Sequence, residues 1–128
     1  MHSIHLNRNG MKDEELSILI EAMSTLNRLD CIILKHNEFG EKSYENILPI
    51  LHRGMGDNLQ EFRLVSCQTN SHILENMLHE MSLNCNLQKL GLVEAQLTNV
   101  HMEYLVEIII SNRFLQDLDL SWNELNTK

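Results

Sequence analysis

The chain has 128 residues, the size of one domain with room for a core. Its formal charge of -8 and pI near 5.2 speak against a phosphate-binding surface, because nucleic-acid affinity rests on lysine and arginine. No apolar run approaches the roughly 20 residues that cross a bilayer, so no membrane insertion is expected, and the opening stretch MHSIHLNRNG lacks the apolar core of a secretory leader.

Taken in order, the apolar residues recur over long intervals. The first unit opens at Met1, with Ile4, Leu6, Asn9 and Met11 in the slots of an LxxLxLxxNxL template. The second opens at Leu29, with Ile32, Leu34, Asn37 and Phe39, and the third at Leu59, with Phe62, Leu64, Cys67 and Thr69. Leu87, Leu90, Leu92, Ala95 and Leu97 make the fourth, and Leu115, Leu118, Leu120, Asn123 and Leu125 the fifth. Openings at 1, 29, 59, 87 and 115 are 28, 30, 28 and 28 residues apart, which marks a tandem array. Alternation within each template predicts a short strand, and its asparagine slot the point where the backbone turns away.

Behind each of the first four strands the apolar spacing becomes i, i+3, i+4, i+7. The sets are Leu16, Leu19, Ile20, Met23; then Tyr44, Ile47, Leu48, Leu51; then Leu74, Met77, Leu78, Met81; then Met102, Leu105, Val106, Ile109. Each predicts a helix of about three turns burying one face. Asp13, Ser71 and Asn99 stand where N-caps belong, with Glu41 the weakest occupant of that slot. Pro49 falls on the outward side of the second helix and predicts a mild kink. Gly54 and Gly56 supply the turn that absorbs the two extra residues of the second unit.

A strand, a helix and a parallel strand form a right-handed crossover. Repeated without reversal, that unit resembles the leucine-rich repeats, specifically the ribonuclease-inhibitor-like subclass, and the resemblance covers essentially the whole chain. It implies an α/β fold: a right-handed solenoid, arched like a horseshoe, with five parallel strands on the concave side and about four helices on the convex side. It also implies that asparagine or cysteine in the turn slot satisfies backbone groups there. Ala95 can make no such bond, so the fourth turn should be the loosest. Residues 1–128 read as a single repeat domain, part of a longer solenoid. Its ends would be covered by further repeats or by a neighbouring subunit.

Strand positions between the leucines would form three rows on the concave face. They read Ser3, Cys31, Glu61, Lys89, Asp117; then His5, Ile33, Arg63, Gly91, Asp119; then Asn7, Lys35, Val65, Val93, Ser121. Glu61 and Lys89 could pair across strands. Ile33, Val65 and Val93 form an apolar strip flanked by Lys35, Arg63 and Asp119, with Trp122 at the rim; these seven are the candidate protein-binding residues. On the helix side Glu45, Glu75 and Glu103 share a slot and should form a solvated acidic ridge.

No catalytic set emerges. Seven histidines show no converging ligand spacing, and no phosphate-cradling loop or nucleophile elbow is present, so neither a metal nor a cofactor is expected. Cys31, Cys67 and Cys85 are odd in number and lack CxxC spacing, which points to a reducing, intracellular and cytoplasmic setting. The expected function is a non-catalytic protein-protein interaction scaffold. Relatives of this repeat type include ciliary dynein-regulatory and actin-regulatory proteins. Abundant asparagine, isoleucine and methionine lean toward that ciliary or cytoskeletal group. The alternatives are a GTPase-activating regulator of a small GTPase, by analogy of repeat type, and a purely structural subunit of a large complex.

Overall fold

Five strands run parallel in one sheet in the order of the sequence: β1 (Ser3–Asn7), β2 (Cys31–Lys35), β3 (Glu61–Val65), β4 (Lys89–Val93) and β5 (Asp117–Asp119). Helices α1 (Asp13–Met23), α2 (Glu41–Leu51), α3 (Ser71–Asn84) and α4 (Met102–Ser111) follow the first four strands, α4 after a 3-10 turn at Asn99–His101. This computed structural model describes residues 3–7, 11–25, 29–51, 59–84 and 87–123, without the side chains of residues 4, 7 and 84. Met1, Asn9, Gly54, Gly56, Cys85 and Leu125, each given a part above, lie outside the described residues.

The strands begin at residues 3, 31, 61, 89 and 117, and pair in unbroken register, Ser3 with Cys31, Cys31 with Glu61, Glu61 with Lys89 and Lys89 with Asp117. Alternation then decides the two faces of the sheet. Ile32, Leu34, Phe62, Leu64, Leu90 and Leu92 are wholly buried and join one core with Leu16, Ile20, Ile47, Leu51, Leu74 and Leu78 of the helices. The helices therefore cover one face, and the intervening residues stand on the other, half-buried in β2 and β3 and ranging in β4 from exposed Lys89 to buried Gly91.

Side chains carry the backbone from one turn to the next. Asn37 donates to the carbonyls of Lys35 and Leu6 and accepts from the Met11 N–H. Asn123 accepts from the N–H groups of Ala95 and Leu97 while donating to Leu92 and Leu120, and the Cys67 thiol donates to the Leu34 carbonyl at 3.3 Å. Ala95 contributes only its backbone. The Glu38–Gln68 bridge between the second and third turns is not continued to Gln96 among the described residues. Gln96 instead takes a left-handed conformation, φ 67°.

The helices start at the residues assigned as caps, so the caps themselves lie one residue earlier, and for a definite reason. The N-cap before α1 is Lys12, not Asp13. Asp13, the first residue of α1, turns its carboxylate to the N-terminus of α2, accepting from the N–H groups of Gly40, Lys42 and Ser43 at 2.8–2.9 Å. Glu41 is thus relieved of that task. Asn70, ahead of Ser71, caps α3 by accepting from the Ile73 N–H, and Thr98 precedes the 3-10 turn. Exposed Pro49 sits inside α2 without ending it. Leu19, Met102, Val106 and Ile109, assigned to the core by spacing, are exposed because they lie on the outer flanks of α1 and α4.

Candidate protein-interaction face

Parallel pairing brings six of the seven candidate residues onto the open face of the sheet. Ile33 is registered with Arg63, and Arg63 with Gly91, which lies beside Asp119; Lys35, Val65 and Val93 stand side by side in the next row. All but Asp119 flank wholly buried strand neighbours, and all six are half-buried. Trp122 lies apart, in the turn beyond β5, with 84% of its surface exposed.

Arg63 is engaged inside the face. Its Nε donates to Glu61 at 2.7 Å and one terminal nitrogen donates to Asp117, also at 2.7 Å. To reach from β3 to β5 the side chain lies across Gly91 of β4, where a Cβ would come within 2.7 Å of Nη1 and 3.0 Å of Cγ. Only glycine leaves that passage open. Glu61 therefore pairs with Arg63, not with Lys89 across the strands. The Arg63 hydrogen bond outweighs burial and holds the Glu61 carboxyl below its ordinary range. Burial opposes the guanidinium's charge, yet its two carboxylate partners prevail and raise its pKa further. With its side chain only 18% exposed, Arg63 is a structural clamp on this face. Asp119, expected to flank the strip, instead accepts from the Ser121 hydroxyl and N–H, and those bonds lower its pKa.

Beside the clamp is a shallow hollow of about 380 Å3, lined in part by Ser3, His5, Cys31, Ile33, Glu61 and Lys89. It places Cys31 Sγ 4.0 Å from His5 Nε2, a juxtaposition that spacing along the chain does not reveal. A nucleophilic cysteine needs a lowered pKa. Here burial, reinforced by the Glu61 charge, pushes the thiol up to about 11. At neutral pH Cys31 remains a protonated thiol. Burial raises Cys67 too. No cluster of three or more histidine, cysteine or acidic side chains suited to a metal occurs among the described residues.

A second row lies along the strand-end turns. His36, Ser66, Glu94 and Trp122 occupy one slot of four successive turns, and all are left-handed, with φ 57°, 54°, 49° and 63°. Non-glycine residues enter that region at a cost of roughly 1–2 kcal/mol. The compensation is visible in the backbone, since the N–H groups of His36 and Ser66 donate to Val65 and Val93 at the end of the next strand, and that of Glu94 to Ser121 just beyond β5. None of the four is a glycine, so composition carries no signal of this row.

No protein-family model matches the chain, and no curated protein matches it. No described helix is long and apolar enough to cross a membrane.

Proposed function

We propose that the chain is a leucine-rich-repeat module of the ribonuclease-inhibitor-like kind, a right-handed solenoid that serves as a non-catalytic scaffold and binds a protein partner on the concave, open face of its sheet. One observation carries this reading. Parallel sheets are ordinarily covered on both faces, whereas here the face bearing Ile33, Val65 and Val93 is overlain by none of the described elements. Half-buried branched aliphatics beside Lys35, within a frame fixed by the Arg63 clamp, make a surface prepared for a second protein. The repeat period and the side-chain ladder through Asn37, Cys67 and Asn123 support the family reading. Unpaired thiols at Cys31 and Cys67 support an intracellular assembly, of the ciliary or cytoskeletal kind.

The geometry also selects the variants that test this. Arg63→Glu would set three carboxylates together with Glu61 and Asp117, and so would damage the sheet as well as any interface. Val65→Asp and Lys35→Glu alter the open face without touching the clamp. Both should weaken partner binding at least tenfold while leaving the thermal midpoint within a few degrees. Cross-linking of the purified complex should reach Lys35 and Lys89. Cross-links confined to Lys12 and Lys42, with both variants binding as tightly as the parent, would show that the contact lies elsewhere.

A further inference from the structure

Seven polar or charged side chains are buried among the described residues. Six of them are satisfied within the fold. Ser17, Ser43 and Ser82 donate to the carbonyls of Glu14, Asp13 and His79, and Asn37, His101 and Asn112 each bond backbone groups through their side chains. Asp30 is the exception. It is only 8% exposed, yet no described group donates to its carboxylate or pairs with it. A carboxylate drawn out of water without donors is unfavourable. Unlike Thr69 Oγ1, the one fully enclosed side-chain oxygen without a partner among the described residues, Asp30 keeps a narrow opening to solvent. That opening gives on the hollow of about 380 Å3 beside the Arg63 clamp, which Asp30 lines together with Ile33, Gln60, Glu61, Gln88 and Lys89. Backbone bonds fix its place there. The Asp30 carbonyl accepts from the N–H groups of Gln60 and Glu61, and the Gln60 carbonyl from those of Gln88 and Lys89. One carboxylate and two amides thus hold the same slot of three successive units, at the start of their strands.

We propose that this hollow receives a basic side chain, lysine or arginine, of the protein partner, with Asp30 as its counter-ion; this rests on the scaffold reading given above. Charge decides the occupant. Glu61 already gives an oxygen to Arg63 at 2.7 Å, so Asp30 is the carboxylate of the hollow that lacks a cation among the described residues. An anionic ligand would meet Asp30 and Glu61 together, and an uncharged one would leave Asp30 as it is. A cationic side chain meets a carboxylate, the side-chain carbonyls of Gln60 and Gln88 as further acceptors, and the flank of Ile33 for its methylene stem. One feature of the hollow opposes it. Lys89 stands exposed at the rim and competes for the same carboxylate. At longer range the chain's charge of -8 draws basic partners toward it. The partner then supplies the charge that the fold withholds from Asp30, and a charge-assisted bond replaces an unpaired carboxylate.

Titration of the 128-residue chain with n-butylammonium and n-butylguanidinium, followed by nuclear magnetic resonance of the backbone amides, tests the hollow without the partner. The expected result is saturable shifts at Asp30, Cys31, Glu61 and Lys89 that weaken as salt rises, and none with n-butanol. Asp30→Asn removes the charge and keeps the shape. It should weaken binding of both cations by roughly fivefold or more, the scale of one charge pair. Its thermal midpoint should equal or exceed the parent's, because no bond of the fold depends on that carboxylate. Lys89→Met should tighten binding, since a competing ammonium is gone. In the purified complex, Asp30→Asn should weaken the partner by the same factor. Shifts spread over the acidic helices, or an Asp30→Asn variant that binds both cations as tightly as the parent, overturn the proposal. So does n-butanol binding as tightly as n-butylammonium, which would make the hollow an apolar one. An Asp30→Asn variant that loses the cations yet holds the partner as tightly as the parent overturns the partner's basic side chain as occupant and leaves the scaffold reading standing. Val65→Asp, outside the hollow, should leave butylammonium binding within twofold, which separates the failure of the open face from the failure of this site.

Discussion

Asp13 shows how one carboxylate can bind two repeats together. Burial works to raise its pKa, but hydrogen bonds from Ser43, Lys42 and Gly40 overcome it, and the carboxyl ends below its ordinary 3.8. A depressed carboxyl contributes stability that is complete above the unfolded value and is lost as pH falls through the folded one. Acid unfolding should therefore include a step below about pH 4 that Asp13→Asn diminishes. At pH 7 Asp13→Ala should cost about 1–2 kcal/mol in urea denaturation, the scale of a lost helix cap. Thr69 presents the opposite case. It stands in the slot filled by Phe39 and Leu97 in neighbouring turns, and its buried hydroxyl finds no hydrogen-bond partner among the described residues. An orphaned hydroxyl costs about 1–3 kcal/mol, so Thr69→Val should raise stability by about 1 kcal/mol in the same measurement.

Strands were more legible in the sequence than helix ends or the detail of the open face. Apolar residues at two-residue spacing, repeated five times, locate every strand, because an in-register parallel sheet with one covered face admits few other arrangements. Spacing places the helix caps one residue late, since the apolar period marks a face and not a terminus, and nothing in the spacing says that Asp13 serves the next helix. The Arg63 clamp was hidden for a related reason. It joins β3 to β5 over Gly91, so its partners are 2 and 54 residues away, and only the arginine beside a glycine in the middle row hints at it. At the element scale, burial separates inner from outer strands. Leu92→Ala in β4, where the leucine is wholly buried, should cost about 2–5 kcal/mol. Leu120→Ala, half-buried beyond β5, should cost less than half as much as Leu92→Ala by urea denaturation; equal costs would mean that the outer strand is covered as well as the inner one.

Across the whole molecule, every packed pair of described strands, and of α-helices, consists of neighbours in sequence. Stability in such an arrangement is close to a sum of nearest-neighbour interfaces. Strands β2, β3 and β4 are each held from two sides, whereas β1 and β5 are held from one, and β5 spans only three residues. Local opening takes the path of fewest broken contacts. In dilute solution, hydrogen exchange followed by mass spectrometry should show the Glu61–Val65 amides as the slowest and those of Asp117–Asp119 as the fastest of the sheet. Exchange as slow at Asp117–Asp119 as at Glu61–Val65 would mean instead that β5 is covered on its outer side.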